Sequence, residues 1–420
     1  MIPENAVYNR TVLENGLKVI TEAIPYVRSV SMGLWIDVGS RDESDSNAGV
    51  SHFIEHMVFK GTRNRSASEI ASYLESVGGV LNAFTSREQT CYFAKFLDQH
   101  LSRAVEIIFD LAGNALFDKS EIIKEKRVIL EEIKDVEDAP SDLVHDKFAR
   151  AIFGRHPLGR PILGSKSSVR AMDRATVSHH LRRFYTPDRM LLASSGNLDH
   201  AEVVDLANNY LSTQKGRNGT NRERPQIKPN RSVIKRDSSQ VHICLGVPGI
   251  EFNHPWRSAS YLLNAVLGGG MSSRLFQELR DNLGIVYNIF SYLDYFHDSS
   301  VHGIYLGADK RNAGKAVAAI VREIERLTAE PLTGDDLSRV KEQLKGNLML
   351  GLENTSNRMN RIAKHEFLAG RYISLDETTA GIDSVTSEQV LELAREIFDK
   401  RRFSAVALGS VSDEIFASLG

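Results

Sequence analysis

Gly49-Val-Ser-His-Phe-Ile-Glu-His-Met-Val-Phe59 is the stretch on which the reading of this chain turns. It contains His52-x-x-Glu55-His56. On a helix, residues four apart share a face, so His52 and His56 can aim two imidazoles at one metal ion. Glu55 stands three positions from His52, beside that face. Two neutral imidazoles suit zinc, and a nearby carboxylate can take a proton from an activated water. A short motif of this kind also arises by chance, so the rest of the chain has to supply a third ligand.

The chain has 420 residues, comfortable for two domains. Composition is average globular, 42% hydrophobic and 25% charged, which leaves ample material for a core and argues against wholesale disorder. A net charge of -2 gives no general signal for nucleic acid or a membrane surface. Cys91 and Cys244 lie in apolar, strand-like runs and are expected as buried thiols in a reducing compartment. No apolar run reaches the length of a membrane helix. Met1-Ile-Pro-Glu-Asn-Ala lacks a basic segment followed by an apolar one, so a cytoplasmic location is expected. A mitochondrial matrix location would follow if a transit peptide had been removed.

Around the motif the elements are legible. Residues 9–22 read as two strands about the turn Glu14-Asn-Gly16. Ser29 to Val38 reads as a strand, followed by a polar loop into the motif helix. Ser66-Ala-Ser-Glu69 is a capping box opening a helix. Residues 80–96 form a strand pair, and two long helices run from about Leu101 to Asn114 and from Lys119 to Val136. A helix from Pro140 to about Ile152 and one from Val169 to Tyr185 precede a strand at Met190. Residues 212–230 are polar, with two prolines, two glycines and five basic residues against one Glu.

The second half repeats this outline. Gln240–Val247 stands for Ser29–Val38, and Pro255–Leu267 for the motif helix. The helices at Ala316 and Asp335 stand for the long pair, and the strand at Ser404 for that at Met190. It has Tyr261-Leu-Leu-Asn-Ala where the first half has His-x-x-Glu-His, so only one half can bear the metal. The expected architecture is α+β, with two homologous domains, each a mostly antiparallel sheet packed against helices. The metal-bearing domain spans 1–211, the linker 212–230 and the second domain 231–420.

A catalytic zinc takes three protein ligands plus water. The helix from Lys119 carries Glu125 and Glu132, seven apart and on one face, with Glu131 adjacent but about 100° away. The combination resembles the pitrilysin/insulinase family of zinc peptidases, whose inverted H-x-x-E-H motif this is, and most closely its mitochondrial-processing-peptidase-like short-chain branch. In that family a distal Glu about 76 residues after the second histidine is the third ligand. Glu132, 76 positions beyond His56 and within Val128-Ile-Leu-Glu-Glu132, matches it. Glu125 matches the carboxylate that orients a ligating His.

The resemblance covers essentially the whole chain and implies further roles. Gly78-Gly79-Val-Leu-Asn82-Ala83-Phe84-Thr85 is similar to the edge strand that takes substrate as an added strand, Asn82 adding a side-chain bond. Leu267-Gly-Gly-Gly-Met-Ser-Ser-Arg-Leu-Phe276 and the following segment to Tyr287 resemble the substrate-facing part of the second domain. There Arg280 would hold a substrate carbonyl, and Tyr287 would donate to the oxyanion. The glycines do not form a G-x-x-x-x-G-K-[ST] phosphate loop. Asp142 and Asp146, ten and fourteen residues beyond Glu132, match acidic residues that receive an Arg two residues before the cut.

The expected protein is therefore a zinc metalloendopeptidase with one Zn2+ per chain and Glu55 as general base, acting on unstructured peptides or presequences. Two domains where the branch uses four imply a homodimer, or a heterodimer. Relatives that keep the fold as non-catalytic core or scaffold subunits form the alternative. A hydrolase of small non-peptide substrates has no use for the strand platform.

Overall fold

The computed structural model describes residues 6–210 and 222–420. Residues 212–221 of the expected linker lie outside them. Six strands build the first sheet: β1 (Val7–Val12), β2 (Lys18–Ala23), β3 (Ser29–Ile36), β4 (Val80–Thr85), β5 (Thr90–Leu97) and β6 (Met190–Gly196). Their spatial order is β1-β2-β6-β3-β5-β4, and only β2–β6 is parallel. Five strands build the second: β7 (Arg231–Lys235), β8 (Gln240–Pro248), β9 (Val286–Tyr295), β10 (Ser300–Asp309) and β11 (Ser404–Gly409). Their order is β7-β11-β8-β10-β9, and only β7–β11 is parallel. Matched in chain order, β7 to β11 repeat β2 to β6, down to the single parallel pair. The repeat expected from the sequence is a repeat of topology, and each half is the α+β unit foreseen.

The local elements follow from their residues. Gly16 takes φ +97 in the turn between β1 and β2, where other residues are strained. The capping box at Ser66 forms, with Ser66 and Glu69 bonding each other's backbone N–H. The helix expected over Val169–Tyr185 is two helices, Lys166–Ala171 and Arg174–Phe184. Asp173 takes extended backbone between them and its carboxylate accepts the Thr176 N–H, so a cap interrupts the apolar periodicity.

Side chains alternate across each sheet. Leu34 and Ile36 of β3 join the core that also holds Phe53, Ile54 and Met57 of the motif helix. Trp35 faces the other way, with Ile20, Leu191 and Ala193, onto Met359, Ile362 and Ala363 of the helix Thr355–Ala369. In the second half, Val144, Phe148 and Ile152 of the helix Pro140–Phe153 pack with Cys244, Val406 and Leu408. Each sheet is thus covered on one face by a helix from the other half of the chain. Among the described residues, one compact unit comprises the chain through Lys134, Arg160–Arg222 and Met349–Tyr372. The other comprises Asp135–Gly159, Glu223–Leu348 and Ile373–Gly420. The expected division near 212–230 separates the sheets, but these two segments cross it. Polar anchors hold the crossing helix on the first sheet: Arg358 pairs with buried Glu22 at 3.1 Å, and Glu366 with Arg10 and Lys18 at 2.9 and 3.0 Å.

His302 of β10 is buried beside Phe398, and neither ring nitrogen has a hydrogen-bond partner. Burial pushes its pKa down to about 3. The unfolded chain takes a proton near pH 6.5 and the folded chain does not. Stability from this residue is therefore complete above pH 6.5 and lost as pH falls toward 3. Going from pH 7 to 5 should cost about 2 kcal/mol through His302 alone. Urea unfolding at the two pH values should show that share of the loss removed in His302→Leu.

Candidate metal centre

The motif helix, Val50–Val58, is nine residues long. Val50, Phe53, Ile54, Met57 and Val58 are buried along it, which leaves His52, Glu55 and His56 on the remaining face. Against that face runs the helix Lys119–Asp138, fixed by buried Ile122, Ile129 and Ile133. One ligand atom each from His52, His56 and Glu132 lies within 4.8 Å of the others, and among the described residues no other such group of His, Cys, Asp or Glu occurs. His52 Nε2 is 3.9 Å from one Glu132 oxygen and His56 Nε2 is 3.7 Å from the other. Two imidazole nitrogens and a carboxylate converging at these distances suit a divalent metal of the zinc class. Adjacent Glu131 instead turns to Lys134, at 2.6 Å.

The two imidazoles are shifted in opposite directions. Burial, then neighbouring His56, holds the His52 imidazole neutral, with its pKa pushed down to about 3. Burial acts the same way on His56 but is outweighed by its bond to Glu125 and by the charge of Glu132, which raise it. His56 Nδ1 meets Glu125 Oε1 at 2.7 Å, so Nε2 is the nitrogen left to face Glu132. Glu125 is only 2% exposed, and its second oxygen takes Lys60 Nζ at 2.8 Å. Burial raises that carboxyl, but the bonds from His56 and Lys60 outweigh it and keep it below the usual range. Burial raises the Glu55 carboxyl, against the hydrogen bond that Thr85 Oγ1 donates to Glu55 Oε2 at 2.6 Å.

Three supporting residues were not foreseen: Lys60, Thr85 and Glu43. Lys60 stands four after His56, a helical spacing that is legible once Glu125 is known. Thr85 is reached only through the approach of β4 to the motif helix. Glu43, in the polar loop before it, is buried and accepts the backbone N–H groups of Gly49 and Ser51 at 2.6 and 2.8 Å. Burial pushes its carboxyl up to about 7, while those two bonds draw it down.

The other expected residues fall in two places. Asn82, Ala83 and Phe84 lie on β4, the free edge of the first sheet. Leu81, Ala83 and Thr85 are half-buried, while Val80, Asn82 and Phe84 are exposed. The Asn82 amide oxygen accepts the Ala83 N–H at 2.8 Å, so it engages its own strand. Asp142, Asp146, Arg280 and Tyr287 belong to the second unit. Asp142 and Asp146 are on Pro140–Phe153, and Arg280 is on the π-helix Phe276–Asn282 with its guanidinium over Phe276. Tyr287 is 58% exposed on edge strand β9, where Val286 and Asn288 pair with consecutive residues of β10. Tyr287 is thus the extra residue of a bulge, a device that re-aims a side chain.

Both halves of the chain match one known family. Residues 18–166 match the insulinase (peptidase family M16) domain, and residues 171–344 match the peptidase M16 inactive domain. The metal group lies in the first match and none lies among the described residues of the second. A Bacillus subtilis relative named uncharacterized zinc protease YmxG is 39% identical over 93% of this chain and 95% of its own. A protease from Helicobacter pylori superposes with TM-score 0.89 at 23% identity, covering 96% of this chain and 99% of that one. A chain of complex III2 from Candida albicans superposes with TM-score 0.86 at 22% identity, covering 98% and 99%. These last two show a shared fold alone. With two successive domains matched and a relative this similar over nearly its whole length, the chain belongs to peptidase family M16, the insulinase family.

Proposed function

We propose that this protein is a zinc endopeptidase acting on unstructured peptides. The observation that carries the reading is the convergence of His52, His56 and Glu132 beside a Glu55 carboxylate that Thr85 holds by one oxygen. Zinc held by those three residues would supply Lewis-acid chemistry, polarising the substrate carbonyl and acidifying a water. Glu55 takes the proton of the attacking water on its free oxygen and returns it to the leaving amine. Glu125, itself held by Lys60, fixes the His56 ring and its tautomer. The free edge of β4 offers main-chain donors and acceptors to an extended peptide, with Asn82 and Phe84 flanking Ala83. Arg280 and Tyr287 are assigned to the substrate carbonyl and the oxyanion from the likeness of their segment to the family's, and the bulge at Tyr287 supports that assignment.

A scaffold role is the weaker reading, although the fold also occurs in complex III2 from Candida albicans. A scaffold has no need of an ionised, buried Glu125 or of a carboxylate held as Glu55 is. Buried free thiols at Cys91 and Cys244 support a reducing compartment such as the cytoplasm. Among the described residues no helix is long and apolar enough to cross a membrane.

Wild type is expected to cleave an internally quenched unstructured peptide. Glu55→Gln should retain zinc, read by elemental analysis, and lose about 10²–10⁴-fold in kcat. Zinc-loaded wild type that cleaves no peptide would return the scaffold reading. We further infer an Arg preference two residues before the cut, from Asp142 and Asp146 at i,i+4 on one helix face. Asp142→Asn should lower kcat/KM for an Arg peptide several-fold and leave an Ala peptide unchanged; equal cleavage of both by both proteins removes the subsite. A homodimer is inferred from the two-domain chain, and light scattering of active protein should give twice the chain mass.

A further inference from the structure

The motif helix has an unusual start. Gly49, at its N-cap, sits at φ +90, and a Cβ there would meet Leu163 O at 2.6 Å. A Cβ on the facing Gly164 would meet Ala48 O at 2.2 Å. The N-cap position is therefore closed to Ser, Thr, Asp or Asn, the residues whose side chains ordinarily accept the first free N–H groups of a helix. Those donors are buried and need an acceptor.

Glu43, six residues upstream, supplies it. Oε2 accepts from Gly49 N–H and Oε1 from Ser51 N–H. The loop carrying Glu43 is held in turn. Arg160 donates to the Glu43 carbonyl at 2.6 Å and pairs with Asp45 at 2.8 Å. Asp42, next in sequence, takes Arg222 by both oxygens, at 3.0 and 2.7 Å. A carboxylate at this end of the helix also meets the positive end of its dipole.

The residue after Ser51 is His52. The two ligating histidines are supported unequally. His56 has Glu125 on its Nδ1, whereas His52 Nδ1 is buried with no hydrogen-bond partner. What fixes His52 is its backbone, one residue from the N–H that Glu43 holds. We propose that Glu43 is a positioning residue of the metal centre, doing for His52 through the first turn of the helix what Glu125 does for His56 at the ring. This rests on the reading of His52, His56 and Glu132 as zinc ligands.

The test is zinc affinity by chelator competition on the purified full chain, at a temperature where circular dichroism shows each variant folded. Glu43→Gln keeps the size of the side chain but offers one N–H group an amide nitrogen in place of an oxygen. It should bind zinc about 10-fold or more weakly, and its zinc-saturated form should lose kcat with KM within twofold of wild type. Glu366→Gln, on the far face of the first sheet, should lower Tm without changing zinc affinity, which separates positioning from general destabilisation. Glu43→Ala should weaken zinc further; if it does not fold, Glu43→Gln carries the result. A folded Glu43→Gln with wild-type zinc affinity and kcat overturns the proposal and leaves the peptidase standing. Wild type that takes up no zinc overturns both.

Discussion

Burial of Val50, Phe53, Ile54, Met57 and Val58 along one side of a nine-residue helix is what turns His52, Glu55 and His56 toward Glu132. So short a helix has little stability of its own, and its register comes from packing and from its ends. The apolar side seats it on the first sheet, and Glu43 holds its beginning. The long helix Lys119–Asp138 then needs only its own buried isoleucines to bring Glu125 and Glu132, two turns apart, over the two imidazoles.

Glu55 stands on this helix and three more carboxylates, Glu43, Glu125 and Glu132, lie around it, each in different surroundings. Glu43 is buried and accepts two backbone N–H groups at the start of the helix. Glu125 is buried between an imidazole and an ammonium and stays charged. Glu132 is half-buried and faces both imidazoles. Glu55 accepts a bond from a neutral hydroxyl, and burial raises its carboxyl. Under the proposed function, identical side chains would serve as cap, orienter, ligand and base according to what each touches.

Much of this was legible in the chain. Helical spacing alone brings His52 and His56 to one face, and seven-residue spacing pairs Glu125 with Glu132. The choice of Glu132 over Glu131 came from the family's spacing, and the geometry agrees with it. The strands at Gln240 and Ser404 in the second half followed from the repeat even where letters did not. Thr85 and Glu43 were not legible, because hydroxyls and carboxylates in loops or at strand ends ordinarily face water and nothing local says otherwise. The exchange of helices was missed for a related reason. The apolar positions of Pro140–Phe153 state that one side will be buried, but not which of two similar sheets will bury it. The cap at Asp173 was overlooked because the apolar period continues through it.

That exchange bears on how the protein is made. The outer face of the first sheet, with Trp35, Ile20 and Leu191, stays bare until Met359, Ile362 and Ala363 arrive. On a ribosome, the first sheet must therefore wait for the helix Thr355–Ala369, made long after its last strand, Met190–Gly196. In the interval Glu22 is without Arg358, and an apolar surface is open to whatever is nearby. Severing the chain between the sheets would leave two fragments, each holding a piece of the other. Neither repeat closes its sheet with its own residues alone, because each takes one covering helix from the other.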